Sequence, residues 1–423
     1  MGVENLNVSQ EKRLRSGTLE LTMTMTGLKN HQKILISSIL IVLIALNLIE
    51  AVQITQPNED VLSQVSSILE KVEGIRGLEF KEPPKIIVMT RAEAREHFKP
   101  GKPDIERMRL EEDVYKMSLL LGPNYPYVHE KVEQSLGWIA ATIGDEIYII
   151  KENFLADPDT ARRVIAHESV HVLQRQWFNA PYGGPTLDTT KAIQAAIEGD
   201  ADLVADLYCN ETGIPIHKIT DLYTRDPVTA LGIFPYVFGD RFVAYLYKKG
   251  GWELVNSMYS SLPNTTKVVM FPELYLQNWT PIDIRSEVEK LLPENAKVKY
   301  SNRMGAYYVF LIYWGHDADR KRALEEARSW EGDWLMMGDM NESGKIRRVL
   351  VWKVVFSDHM HAADFKDFLD KITEENHYAD FFLISLTGNE VTLKVARDVK
   401  EVKQNETETQ DEVNLPDVWI KIP

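Results

Sequence analysis

The sequence predicts an α+β fold, a mainly helical domain followed by a smaller α+β unit, on three observations. Between residues 61 and 262 apolar residues recur mostly at helical spacing. Beyond Lys299 the pattern turns to short alternating or near-continuous apolar runs, the mark of strands. Hydrophobic residues make up 44% of 423, which places the chain among folded proteins and gives it length enough for two domains. These shifts divide it into a leader (1–33), an apolar helix (34–52), a mainly helical domain (53–299), an α+β domain (300–400) and a polar tail (401–423).

Ile34 to Ile49 is an apolar run broken only by Ser37, Ser38 and Asn47, with Lys29, His31 and Lys33 before it and Glu50 closing it. As a helix it spans about 24 Å, short of the roughly 30 Å hydrocarbon core, so it reads as a signal-peptide core or a short signal anchor. The positive flank is N-terminal, which puts the bulk of the protein outside the cytoplasm, membrane-anchored through 34–52 or secreted. Val61, Val65, Ile68, Leu69 and Val72 then repeat at helical spacing until Gly74. Lys85 to Thr90 reads as a strand, Ile105 to Leu121 and Val128 to Trp138 as helices, and Glu146 to Ile150 as a short strand.

Asp157 is a good N-cap and Pro158 suits the first helical position. No Gly or Pro follows from Asp159 to Trp177, so a long helix is expected there. Ala180 to Asp188 carries Pro181, Gly183, Gly184 and Pro185 and reads as a connection rather than the rim of a cleft. A second helix covers Thr189 to Tyr208, and Asp221 to Leu262 is largely helical. After Lys299, strands are expected at Ala306 to Tyr313, Arg347 to Phe356, Phe381 to Leu386 and Val391 to Ala396, with helices at Asp317 to Trp330 and His361 to Thr373. Gln404 to Glu412 reads as a loose linker before a short strand at Val418 to Ile422.

Charge and cysteine content exclude some functions. Acidic residues outnumber basic ones by 63 to 48 and no basic block stands out, which argues against a nucleic-acid partner. Cys209 is the only cysteine, so no intrachain disulfide can form and stability must come from packing. Asp358, His359, His361 and Asp364 are rich in donor groups, but residues two apart do not share a helix face, and the four read as a surface cluster.

The chemistry concentrates inside the long helix. His167, Glu168 and His171 form H-E-x-x-H, and histidines four apart lie about 40° apart around a helix, so both imidazoles can reach one metal ion with Glu168 beside a metal-bound water. Zinc held by two imidazoles wants a third protein ligand and an open position. Glu198, in the stretch beginning at Ile197, is the best candidate. Asp202, one turn on, can accept the free ring N–H of a ligating histidine. Ala195, Gly199, Ala201 and Ala205 flank these acids and are small enough to let the two motif helices approach.

In these residues the chain resembles the gluzincins, zincin-type zinc metallopeptidases with H-E-x-x-H on one helix and E-x-x-x-D on the next. The resemblance implies zinc ligands His167, His171 and Glu198, a catalytic base in Glu168 and a supporting role for Asp202 as acceptor of a ligand's ring N–H. From Ile75 through Leu276 the chain is also similar to membrane-linked or secreted gluzincin-like proteins, although where those usually carry a His-Pro pair it has Phe271-Pro272. The resemblance further implies that a strand placed like Glu146 to Ile150 lines the cleft and pairs with an extended peptide. A zinc peptidase also needs a donor for the developing oxyanion. Among the polar residues after the second motif helix, Tyr236 and His217 are named for that role.

The expected activity is zinc-dependent hydrolysis of a peptide or protein substrate, with Glu168 taking the proton of the attacking water and passing it to the leaving nitrogen. The alternatives are a catalytically inactive zinc-site protein and a membrane-tethered binding protein with a fortuitous H-E-x-x-H.

Overall fold

The computed structural model describes residues 61–98, 104–133, 140–342 and 344–399. The apolar run at 34–52, the linker at Gln404 to Glu412 and the strand expected at Val418 to Ile422 lie outside these residues. Among the described residues no helix is long and apolar enough to cross a membrane. The chain divides into two units after Gln64, and the second, which begins at Val65, carries both motif helices. Its architecture is α+β, a helical region followed by a C-terminal sheet.

The described residues begin with a helix over 61–76 (α1). Next along the chain are β1 (Lys85–Met89), α2 (Arg91–His97), α3 (Ile105–Met117), α4 (Tyr127–Glu133), β2 (Ala140–Ile143), β3 (Glu146–Ile150) and α5 (Lys151–Ala156). The expected helix Val128 to Trp138 is thus observed over its first part, with 134–139 outside the described residues. The two motif helices are α6 (Pro158–Phe178) and α7 (Leu187–Thr212). After them come α8 (Pro227–Met258), broken at Gly250 and Gly251, and three short helices, α9 (Thr266–Met270), α10 (Pro272–Leu276) and α11 (Arg285–Glu289).

In the first sheet the order is β1-β3-β2, with β3 parallel to β1 and antiparallel to β2. This corrects one expectation. Glu146 to Ile150 is the central strand, with both its hydrogen-bonding edges taken, so it has no edge to offer an extended peptide. The edge toward the motif helix belongs to β2, which alternation does not reveal because it is only four residues long. Thr142 on β2 donates its hydroxyl to the Glu168 carbonyl of α6 at 3.0 Å.

The small residues also act differently from the expectation. Ala195 and Gly199 are packed against Gly239 of α8, so they serve the approach of α7 to α8 rather than that of α6 to α7. A Cβ on Gly199 would lie 2.1 Å from the Gly239 carbonyl oxygen. Only glycine fits such a crossing.

The C-terminal part comprises β4 (Lys297–Asn302), α12 (Ala306–Gly315), α13 (Arg320–Ser329), β5 (Trp330–Glu342), β6 (Lys345–Phe356), α14 (His359–Thr373), β7 (Phe381–Thr387) and β8 (Glu390–Val399). Its antiparallel sheet has the order β4-β5-β6-β8-β7. Ala306 to Tyr313, expected as a strand, is helical. All eight of these residues are buried, so the helix has no solvent face to print a 3.6 period on the sequence, and its aromatic and β-branched content imitates a strand. One buried cluster runs from Val114 through Phe234 and Phe310 to Trp352 and Val395, joining the helices to the sheet.

Asp333 anchors that junction. It is 1% exposed and accepts four N–H groups, from Trp330 Nε1 (3.1 Å) and Gly305 (2.9 Å) on one oxygen and from Met304 and Trp352 Nε1 (both 2.9 Å) on the other. The start of α12 is thereby tied to the sheet. An asparagine would turn its NH₂ toward two of these donors. Asp333→Asn should therefore lower the unfolding free energy by about 3 kcal/mol or more, read by chemical denaturation; a loss under about 1 kcal/mol would refute the anchor. Burial pushes this carboxyl up to about 6, against the pull of its hydrogen bonds. Because the folded value is the raised one, the group's contribution is fully present below about pH 4 and is lost as pH rises through about 6. The asparagine variant should lack that pH dependence.

Candidate metal centre

The motif helix forms where the sequence places it. Asp157 accepts from the Thr160 amide at 3.2 Å, Pro158 occupies the first turn, and the helix ends at Asn179 in the left-handed region (φ 45°). His167 and His171 emerge one turn apart on the same face, their ring centroids 4.9 Å apart and their planes nearly perpendicular. On α7, capped by Thr186, Glu198 is 3% exposed. Its Oε2 lies 3.0 Å from His167 Nε2 and 3.7 Å from His171 Nε2.

These three groups are the ones among the described residues that converge as a possible metal site, with ligand atoms all within 4.8 Å of one another. Donors about 2.1 Å from a tetrahedral zinc stand about 3.4 Å apart, and the two distances to Glu198 bracket that value. Two imidazoles and one carboxylate are also a donor set suited to zinc, so the residues fit the ion.

The electrostatics are those of a site held together by its own charges. Asp202 Oδ1 receives His167 Nδ1 at 3.2 Å and Arg163 Nη2 at 2.7 Å, and Arg163 also reaches Asp206. Burial alone would lower the His167 pKa, but hydrogen bonds and charge from Asp202 and Glu198 outweigh it and raise it to about 10. The ring therefore carries protons on both nitrogens, one facing each carboxylate. A metal ion would replace the proton on Nε2 and leave the one on Nδ1 with Asp202. Burial pushes the Glu198 and Asp202 carboxyls up, yet His171 and His167 for the first, and His167 and Arg163 for the second, hold both below the ordinary range.

Tyr182 is the residue that sequence reasoning left out. It sits in the Ala180 to Asp188 connection, half exposed, and its hydroxyl donates to Glu198 Oε1, the oxygen turned away from the histidines. The connection is therefore part of the site. Its sequence signal was an aromatic inside a breaker-rich link between the two motif helices. Burial and then the charge of Glu198 raise the Tyr182 phenol well above its ordinary value.

Of the two residues named for the oxyanion, one is close to the cluster. The charge of Glu198, then burial, then the charge of Glu168 raise the Tyr236 phenol, so Tyr236 on α8 remains a protonated O–H donor. His217 is exposed in the link after α7 and makes no hydrogen bond or ion pair with the cluster. Glu168 is half buried, and its charge reaches both Tyr182 and Tyr236. Elsewhere, the Asp358 to Asp364 group is spent on ordinary contacts. Asp358 caps α14, His361 pairs with Glu326 at 2.9 Å and Asp364 pairs with Arg322 at 2.7 Å. Cys209 is a buried core residue.

Comparison with protein families finds a match to a family described as the eCIS core domain, over residues 127–177. That stretch runs from α4 through most of α6 and includes His167, Glu168 and His171, while Glu198 lies beyond it. No curated protein and no solved structure matches the chain.

Proposed function

We propose that this protein is a zinc-dependent metallopeptidase of the gluzincin kind, with zinc held by His167, His171 and Glu198. The observation that supports the reading is the convergence of two Nε2 atoms and a buried carboxylate oxygen, with Glu168 close enough for its charge to act on both Tyr182 and Tyr236. Bound zinc would supply a water of lowered pKa and polarise the scissile carbonyl. Glu168 takes the water's proton and delivers it to the leaving nitrogen. Tyr236, kept protonated by its acidic surroundings, donates to the developing oxyanion. An extended substrate pairs with the outer edge of β2, next to the carbonyl of Glu168. The apolar run at 34–52 supports an extracytoplasmic catalytic domain, anchored or secreted.

The test is the zinc content of the purified chain by elemental mass spectrometry, followed by a screen with quenched fluorogenic peptides. About one zinc per chain and chelator-sensitive cleavage are expected. A folded chain that takes up no zinc would sink the reading and leave the tethered binding protein as the best account.

A further inference from the structure

His171 makes a hydrogen bond that the motif does not announce. Gln174, 2% exposed and one turn further along α6, lies with Oε1 2.9 Å from His171 Nδ1. Its Nε2 lies 2.9 Å from the Ile197 carbonyl oxygen and 3.3 Å from Asp200 Oδ2. A side-chain amide is oriented by its partners. The carbonyl and the carboxylate can only accept, so the NH₂ end must face them and the amide oxygen must face the ring. That oxygen also only accepts, so His171 Nδ1 must carry the proton.

The orientation is itself held from behind. Asp200, fully buried, receives Arg76 Nε at 3.0 Å, Arg76 Nη2 at 3.3 Å and the Tyr259 hydroxyl at 2.6 Å. Arg76 is 1% exposed and stacks over the Trp252 ring at 4.4 Å. A flip of Gln174 would set its oxygen against both the Ile197 carbonyl and this carboxylate. It is strongly disfavoured.

We propose that Gln174, anchored by Asp200 and Arg76, is the positioning residue that fixes His171 in the Nδ1–H tautomer and so keeps its Nε2 lone pair turned toward Glu198 and the metal. The two histidines are thus backed differently, His167 by a carboxylate and His171 by a neutral amide. The same amide also spans from α6 to the backbone of α7 one residue before Glu198. It therefore sets the spacing of the ligands as well as the tautomer of one of them.

The consequence for zinc rests on the metal reading, whereas the tautomer does not, and the experiment separates the two. In the metal-free wild-type chain at pH 8, nitrogen-15 NMR of labelled histidine should show His171 protonated at Nδ1 and bare at Nε2. A proton on Nε2 would overturn the proposal whether or not zinc binds. Gln174→Met keeps the volume and removes all three hydrogen bonds of the amide, and it should mix the tautomers and weaken zinc binding by about 10- to 100-fold. Unchanged tautomer and unchanged zinc affinity in that variant would equally overturn it. If the variant fails to fold, the wild-type spectrum decides. A wild-type chain with the Nδ1–H tautomer but no affinity for zinc would support the positioning and sink the metal reading instead.

Discussion

Glu168→Gln should leave zinc bound at about one per chain and lower peptide turnover by about 10³-fold, roughly 4 kcal/mol of transition-state stabilisation. The amide has the shape of the carboxylate but cannot take a proton from water at neutral pH. The Glu168 side chain makes no hydrogen bond with His167, His171 or Glu198, so the ligand geometry has no reason to move. Glu198→Ala is the opposite case. It removes one of the three proposed ligands and leaves the Tyr182 hydroxyl without its acceptor, so zinc itself should be lost, with affinity down by about 100-fold or more. Metal content and turnover measured on both variants distinguish a proton carrier from a ligand. Retained turnover in Glu168→Gln would remove it as the base, and full zinc occupancy in Glu198→Ala would remove that ligand.

The parts of this site legible in the sequence are those that depend on spacing along a helix. Asp157 and Pro158 mark where α6 starts, its histidines stand four positions apart, and Glu198 and Asp202 stand one turn apart on a helix that packs beside it. Each is a local regularity, and local regularities survive without knowledge of the fold. Tyr182 depends on where the eight-residue link between α6 and α7 runs, which no periodicity encodes. Gln174 is three residues from His171 and so visible in principle, yet its role emerges only when the Ile197 carbonyl and Asp200 fix its amide.

The fold shows the same division. Helix α12 reads as a strand because burial on every side erases its period. Strand β5 escapes the sequence pattern because Gly332, Asp333, Gly338 and Asp339 interrupt its apolar alternation, and two of these interruptions have tertiary causes. Asp333 gathers four donors, and a Cβ on Gly332 would lie 2.5 Å from the Ile282 carbonyl oxygen. What interrupts the pattern is what joins the sheet to the helices.

Gly239→Ala should be among the most damaging small substitutions in the helical region, although Gly239 makes no contact with the metal-site residues through a side chain. A Cβ there would lie 2.2 Å from the Ala195 carbonyl oxygen and 3.0 Å from its Cα, where ordinary contact begins near 3.4 Å. The obstacle is backbone, so no side chain can turn aside. Helices α7 and α8 would have to separate by about 1 Å, at a cost of about 3 kcal/mol of stability. Ala195 lies three residues before Glu198, and a shift of α7 carries that carboxylate away from the two histidines on α6. Zinc affinity should therefore fall by about 10-fold or more along with the denaturation midpoint. Gly232→Ala on the same helix is the control. Nothing lies within 4 Å of its added Cβ, and alanine there should stabilise the chain by about 0.5–1 kcal/mol through helix propensity. If the two variants behave alike, the close crossing of α7 and α8 does not hold Glu198 in place, and the ligand must owe its position to α6 and Tyr182 instead.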